Sequence, residues 1–180
     1  IIQENFQDTS LPIKMHLLQG LPKSDKMELI IQKAVELGVE EITPVEMNRC
    51  VVKLDDKKKK SKTARWQSIA ESAAKQSKRT IIPEVHDAIT INQLKNRYSD
   101  FDILLVPYES KNGMQDTKTA LEKIKGGMTV GILIGPEGGF DESEIRSVTD
   151  MGAHVISLGK RILRTETAAI TAVGMCMLYA

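Results

Sequence analysis

Two stretches near the carboxyl end of the chain hold residue types that could build a ligand site. The first is Gly135-Pro136-Glu137-Gly138-Gly139-Phe140, directly after an apolar run from Met128 to Ile134. Glycine and proline at this density force a tight turn and remove side chains, so backbone N–H and C=O groups can come close to a bound molecule. The second is Ser157-Leu158-Gly159-Lys160-Arg161-Ile162-Leu163-Arg164-Thr165-Glu166-Thr167-Ala168. Here Arg161 and Arg164 flank the apolar pair Ile162 and Leu163. Apolar side chains in a loop suit a flat aromatic ligand, and guanidinium groups suit a carboxylate or a phosphate. A merely glycine-rich connection, and a core plug of Ile162 and Leu163 with solvated arginines, would read the same way.

Spacing removes several other chemistries. The chain has no GxGxxG and no GxxxxGK[ST], so Lys160 after Gly159 is not a phosphate-loop lysine. It has no GxSxG nucleophile elbow either. Cys50 and Cys176 are far apart, without a CxxC or a histidine-rich neighbour, and read as reduced, buried thiols. His16, His86 and His154 show no ligand spacing, and no metal is expected.

The elements that must position the two stretches follow from hydrophobic period and capping residues. Strands are expected over 14–19, 42–45, 51–54, 81–85 (broken by Pro83), 102–107, 128–134 and 154–158. A helix opens on Ser24 as N-cap, carries Met27, Ile30, Ile31, Ala34 and Val35 on one stripe, and closes at Gly38. The lysine run 57–60 reads as a solvated loop. A helix over 61–78 follows, with Trp66, Ile69, Ala70, Ala73 and Ser77 inside and Arg65, Lys75, Lys78 and Arg79 outside. Shorter helices are expected over 91–97 and 117–125. Asp141 and Glu144 form a capping box for a helix to Thr149. A last helix runs from Thr165, with Thr165 and Glu166 suiting its N-cap and first turn. Alternating strands and helices mean an α/β fold with a largely parallel sheet covered on both faces. Both glycine-bearing stretches then start at carboxyl ends of strands, where ligands bind in such sheets. Apolar residues surround the last helix, which calls for cover on more than one side: this chain's own sheet, or that sheet and a second copy.

The chain has 180 residues, of which 41% are hydrophobic, enough for one domain with a sizeable core. Residues 1–12 read as a linker or the remnant of a preceding domain, and no linker divides 13–180. The start at Ile1 and the stop inside an apolar run lead to the expectation that something precedes Ile1. Net charge is +1, so a nucleic-acid surface has to come from local clusters of Lys and Arg. Aromatic residues make up 4%, which disfavours base-stacking platforms. No apolar run is long enough to span a bilayer and no signal peptide is visible, so a cytoplasmic location is expected.

The two stretches together, GPEGGF followed by SLGKRILRTETA, resemble the paired signature of SPOUT methyltransferases. Within that class they resemble the family that methylates N3 of a uridine in 16S ribosomal RNA. Residues 23–28 with 31–38, the segment around Arg49, and Arg65-Trp66 with residues 74–79 are similar to the same family. The resemblance covers about Leu18 to Ala180. Family members often read Glu-Gln where this chain has Lys75-Gln76, which leaves the role of position 75 open. The resemblance implies a three-layer parallel-sheet fold with a C-terminal trefoil knot, a homodimer, and a separate N-terminal RNA-binding domain. It implies S-adenosylmethionine held by Leu133, Ile134, Gly135, Pro136, Glu137, Gly138, Leu158, Gly159, Ile162, Leu163, Thr165 and Ala168. Arg164 is the expected substrate-orienting residue; Glu137 and Glu166 are candidate bases, or else braces for a loop and a helix. Expected contacts to 16S rRNA of the small subunit come from Arg49, Lys53, Lys57–Lys60, Lys62, Arg65, Lys78, Arg79 and Arg161. Methylation of another RNA nucleotide, a non-catalytic RNA-binding module of the same fold, and nucleotide binding without methyl transfer are the rival readings.

Overall fold

A computed structural model describes residues 9–109 and 113–180. The strands are β1 (Lys14–Gly20), β2 (Glu41–Glu46), β3 (Glu84–Val85), β4 (Ile89–Thr90), β5 (Ile103–Pro107), β6 (Thr129–Ile134) and β7 (His154–Ile156). The helices are α1 (Lys26–Glu36), α2 (Asp56–Gln76), α3 (Ile91–Asn96), α4 (Met114–Leu121), α5 (Glu142–Asp150) and α6 (Thr165–Leu178). Of the stretch read as a linker, residues 1–8 lie outside the described residues.

The sheet runs β3-β2-β1-β6-β5-β7, with β4 also beside β2, and every pairing is parallel. Central strands of a parallel sheet are covered on both faces, which is why β1 and β6 are almost continuously buried. Helix α1 packs between α2 and α6, and α6 lies on β6 and β1. After β7 the chain stands beside β5, at the sheet's edge. It must therefore recross the ends of β5 and β6 to deliver α6 to β1, and the expected knot depends on that recrossing.

Several boundaries differ from the sequence expectation, each for a local reason. Ser24 is not the cap of α1: it sits at φ 55°, and α1 opens instead on Asp25, whose carbonyl accepts from the N–H of Glu28 at 3.0 Å. The lysine run is not a loop but the first turns of α2. Asp55 caps that helix by accepting from the N–H of Lys58 at 2.8 Å. Cations at a helix N-terminus oppose the dipole; here pairs of Lys58 with Asp55 and Lys59 with Glu46 offset that cost. Residues 51–54 form no strand, because both edges of β2 are already occupied and Val51 is left 68% exposed. Strand β4 is a short element that the sequence did not disclose. Helix α4 starts earlier than expected, and its end tightens into i→i−3 bonds at Lys123 and Ile124 before Gly127.

Register also gathers groups that are distant in sequence. His16 of β1 stands opposite Glu41 of β2, and His86 follows β3 on the next strand line. One Glu41 oxygen lies 3.4 Å from His16 Nδ1 and 2.9 Å from His86 Nε2. His16 Nε2 meets the buried Thr43 hydroxyl at 2.7 Å. Burial pushes the pKa of His16 down to about 4, against the opposing pull of Glu41. Linear spacing showed no histidine grouping; the fold makes one of His16 and His86.

Candidate active site

Strand β6 ends in the turn 135–140, where close packing explains the small residues. A Cβ on Gly135 would stand 3.0 Å from the Phe140 ring, and one on Gly138 would stand 2.9 Å from Arg49 Cβ. Gly139 has φ +69°, a conformation that side chains rarely adopt. The end of β1 presses on the same turn, since a Cβ on Gly20 would be 2.7 Å from Pro136 N. The expected capping box of α5 is present and reaches further than a cap. Glu144, buried at 5% exposure, accepts from the N–H groups of both Asp141 (2.8 Å) and Asn48 (2.7 Å). It thereby pins the Arg49 segment to the turn. Arg49 itself donates to the Gly138 carbonyl at 3.3 Å.

The second turn, 157–164, hangs from a buried anchor. The Thr117 hydroxyl donates to the Ser157 carbonyl and accepts from the Ser157 N–H, both at 2.9 Å. Gly159 has φ +106°, and its N–H donates to the Ser157 hydroxyl. Thr165 then joins the two turns. It is not the helix cap: Arg164 holds that backbone position, and no side chain caps α6. The Thr165 hydroxyl instead donates to the Gly135 carbonyl at 2.7 Å and accepts from Gln19 Nε2 at 3.0 Å.

Between the turns lies a cleft of about 630 Å³, within the range of small-ligand sites. Its walls are residues 134–140 and 157–165, with Ala168 behind them. Every residue expected at the cofactor lines it except Leu133, which is fully enclosed in the core. A third wall, residues 107–109 at the end of β5, was missed in sequence. The signal was available, since β5 reads as a buried strand whose carboxyl end must face the same side. Tyr108 from this wall meets Phe140 edge-on at 6.2 Å between centroids.

Lys26, at the start of α1, was also missed. Its ammonium lies 3.0 Å from Glu137 and 3.4 Å from Glu166, so a single cation ties the first turn to the first turn of α6. Glu137 further accepts from the Lys23 N–H at 3.0 Å. Burial works against the charged form of Glu137. The hydrogen bonds from Lys26 and from backbone N–H groups outweigh it and hold the carboxyl below its ordinary pKa. The Lys26 pKa is raised, chiefly by its hydrogen bond to Glu137. A carboxylate so stabilised is a weak base, and the geometry favours the bracing role for both acids.

The cations divide into two groups. Lys160, Arg161 and Arg164 are exposed on the cleft wall and meet no hydrogen-bond or ion-pair partner among the described residues. Ile162, between them, is 82% exposed and is no core plug. Lys53, Lys57, Lys60 and Lys78 are exposed, and Lys62 is half-buried. Arg65 is exposed but pairs with Glu28 at 2.6 Å. Arg79 is not on an outer face: its guanidinium donates to the carbonyls of Val35, Gly38 and Val39, closing the end of α1. Lys53 and Lys95 line a separate groove with Glu46 and Glu144.

The chain matches the model of the RNA methyltransferase domain over residues 9–177. It is 44% identical over 175 residues to the ribosomal RNA small subunit methyltransferase E of Bacillus subtilis, covering 96% of this chain and 68% of that protein. The protein of the same name from Mesomycoplasma hyopneumoniae is 39% identical over 166 residues, covering 91% of this chain and 69% of its own length. The Neisseria gonorrhoeae ribosomal RNA small subunit methyltransferase E, solved bound to S-adenosyl methionine, superposes with TM-score 0.80 at 34% identity. That match covers 94% of this chain and 68% of the other. A Legionella pneumophila protein described as a methyltransferase in complex with bound SAM gives TM-score 0.87 at 35% identity, covering 95% and 68%. The parallel sheet, with its two turns and the cleft between them, is thus the SPOUT arrangement, and the chain belongs to the RNA methyltransferase domain family.

Proposed function

We propose that this chain transfers a methyl group from S-adenosylmethionine to N3 of a uridine in 16S ribosomal RNA, in the cytoplasm and as a homodimer. The observation that carries the reading is the cleft between two glycine-bearing turns, locked by Thr165 and open to unpaired arginines. The relatives of this chain are named as ribosomal RNA small subunit methyltransferases, and one is described with S-adenosyl methionine bound.

The chain's own residues fit that cofactor. Turns stripped of Cβ atoms at Gly135, Gly138 and Gly159 offer backbone to the polar edge of an adenine. Leu158, Ile162, Leu163 and Ala168 offer apolar surface to its faces. When bound, the cofactor supplies an activated methyl on a sulfonium. Most of the remaining work is placing the uridine N3 in line, a task of positioning. Arg164 orients the base and stabilises the negative charge that spreads to O2 and O4 as N3 gives its proton to water. Glu137 and Glu166, both held by Lys26, keep the two turns in place. No metal ion takes part in the transfer. Arg161, Lys53, Lys57, Lys60, Lys62 and Lys78 grip phosphates; Arg49 and Arg65 add to that surface from its edge. On α6, Ile170 and Met177 are half-buried and Leu178 is 78% exposed, an apolar side for a second copy.

The test is methyl transfer to 16S rRNA in small ribosomal subunits, mapped to the nucleotide and atom by mass spectrometry. Methyl on a uridine N3 supports the reading. Methyl on another nucleotide moves the substrate, and none with intact cofactor binding leaves an RNA-binding module.

A further inference from the structure

Far from the cleft, toward the amino ends of β1 and β2, His16 and Glu41 converge with His86, which directly follows β3. The three ligand atoms all lie within 4.8 Å of one another. Gly20, which packs on the cofactor turn, lies four positions along β1 from His16, so this cluster stands about 13 Å from the cleft side of β1.

We propose that His16 Nδ1, Glu41 and His86 Nε2 bind one zinc-class divalent ion that staples β1 and β2 to the segment after β3. The donor set is two imidazoles and one carboxylate, which suits zinc better than magnesium or calcium. The spacing from Glu41 to each histidine fits as well, and the two histidine nitrogens lie within 4.8 Å of each other. Ligands on a tetrahedral ion with bonds of about 2.0–2.1 Å stand about 3.3–3.4 Å apart. His16 Nδ1 lies 3.4 Å from Glu41 Oε2, long for a hydrogen bond between these groups but right for two ligands of one ion. The His86–Glu41 distance of 2.9 Å needs to open by only a few tenths of an ångström. The buried Thr43 hydroxyl lies 2.7 Å from His16 Nε2; by accepting from Nε2–H it would leave Nδ1 its lone pair for the ion, the arrangement in which an outer partner fixes the tautomer of a ligating histidine. Phe101, in a T-shaped contact, and His86, tilted, pack against the His16 ring with centroids at 5.4 and 5.6 Å. The carboxylate side is open, Glu41 being 42% and His86 23% exposed, which gives the ion an entry path and a water as fourth ligand.

The experiment uses purified protein stripped with a chelator and titrated with ZnCl2 by calorimetry, with MgCl2 as control, and with CoCl2 followed by visible spectroscopy. Expected are one zinc per chain, no magnesium uptake, and the intense visible bands of four-coordinate cobalt. At zinc a hundredfold above its Kd, the thermal midpoint rises by roughly 5–10 °C. His86→Ala and Glu41→Gln each weaken zinc at least tenfold and cut the thermal shift at the same zinc concentration to about half or less, while S-adenosylmethionine affinity stays within twofold. Both positions are partly exposed, so these variants retain the fold; circular dichroism checks it. Absence of zinc uptake overturns the proposal. So does uptake that survives both variants, which would place the ion elsewhere.

Discussion

Replacing Thr165 by Val tests how the two turns are joined. Valine keeps the shape and removes the hydroxyl that donates to the Gly135 carbonyl at 2.7 Å and accepts from Gln19 at 3.0 Å. Thr165 is 5% exposed and Gln19 is fully buried, so water cannot replace the partner that Gln19 loses without opening the site. An unsatisfied buried donor or acceptor costs about 1–3 kcal/mol. Gln19 is one such group, while the Gly135 carbonyl, half-buried on the cleft wall, can take a water instead, so the loss is about 1–3 kcal/mol of unfolding free energy. Thr165→Ser keeps both bonds and loses one methyl, about 0.8 kcal/mol. Urea unfolding of the three proteins measures the difference, and calorimetry with S-adenosylmethionine measures its effect on the cleft. Affinity should fall about tenfold in Thr165→Val and be largely retained in Thr165→Ser. A valine variant within 0.5 kcal/mol of the parent, with unchanged affinity, would refute the claim that this hydroxyl locks the turns.

Three further outcomes are expected. Arg164→Ala lowers kcat by about 10²-fold, as loss of one charge-stabilising donor does, while S-adenosylmethionine affinity stays within twofold. Unchanged turnover rejects the role. Lys57→Gln with Lys60→Gln weakens RNA binding and reduces the slope of log affinity against log salt by about one for each phosphate no longer neutralised. An unaltered slope removes the start of α2 from the RNA surface. Lys26→Met lets the Glu137 pKa rise toward its ordinary value. Because the folded-state pKa of Glu137 is depressed, its contribution is present above the unfolded value and is lost as pH falls through the folded one. The parent therefore loses stability below about pH 4.5 with a steeper slope than the variant, read by urea unfolding at successive pH values. Identical slopes would mean that Lys26 does not hold Glu137.

What the sequence disclosed followed from local rules. Apolar runs and glycines placed β1, β5, β6 and both turns, because a parallel strand covered on both faces is mostly apolar and a tight turn must shed its side chains. The capping box at Asp141 and Glu144 was legible for the same reason, as both partners lie within one helical turn. Groups joined by tertiary register were not legible. Lys26 sits 111 positions before Glu137, and nothing local says that an ammonium on α1 will bridge two later acids. Arg79 reads as a surface cation until Gly38 turns the end of α1 toward it. His16 and His86 meet only because β1 and β3 both lie beside β2. The Lys57–Lys60 run misled because charge alone does not reveal that Asp55 will cap it.

The central claim is that the methyl donor sits between the turns 135–140 and 157–164. Amide NMR of isotope-labelled protein titrated with S-adenosylmethionine tests it directly. Shifts concentrated in residues 107–109, 134–140 and 157–168 are predicted. Shifts centred on the groove of Lys53 and Lys95, with those turns unmoved, would contradict it.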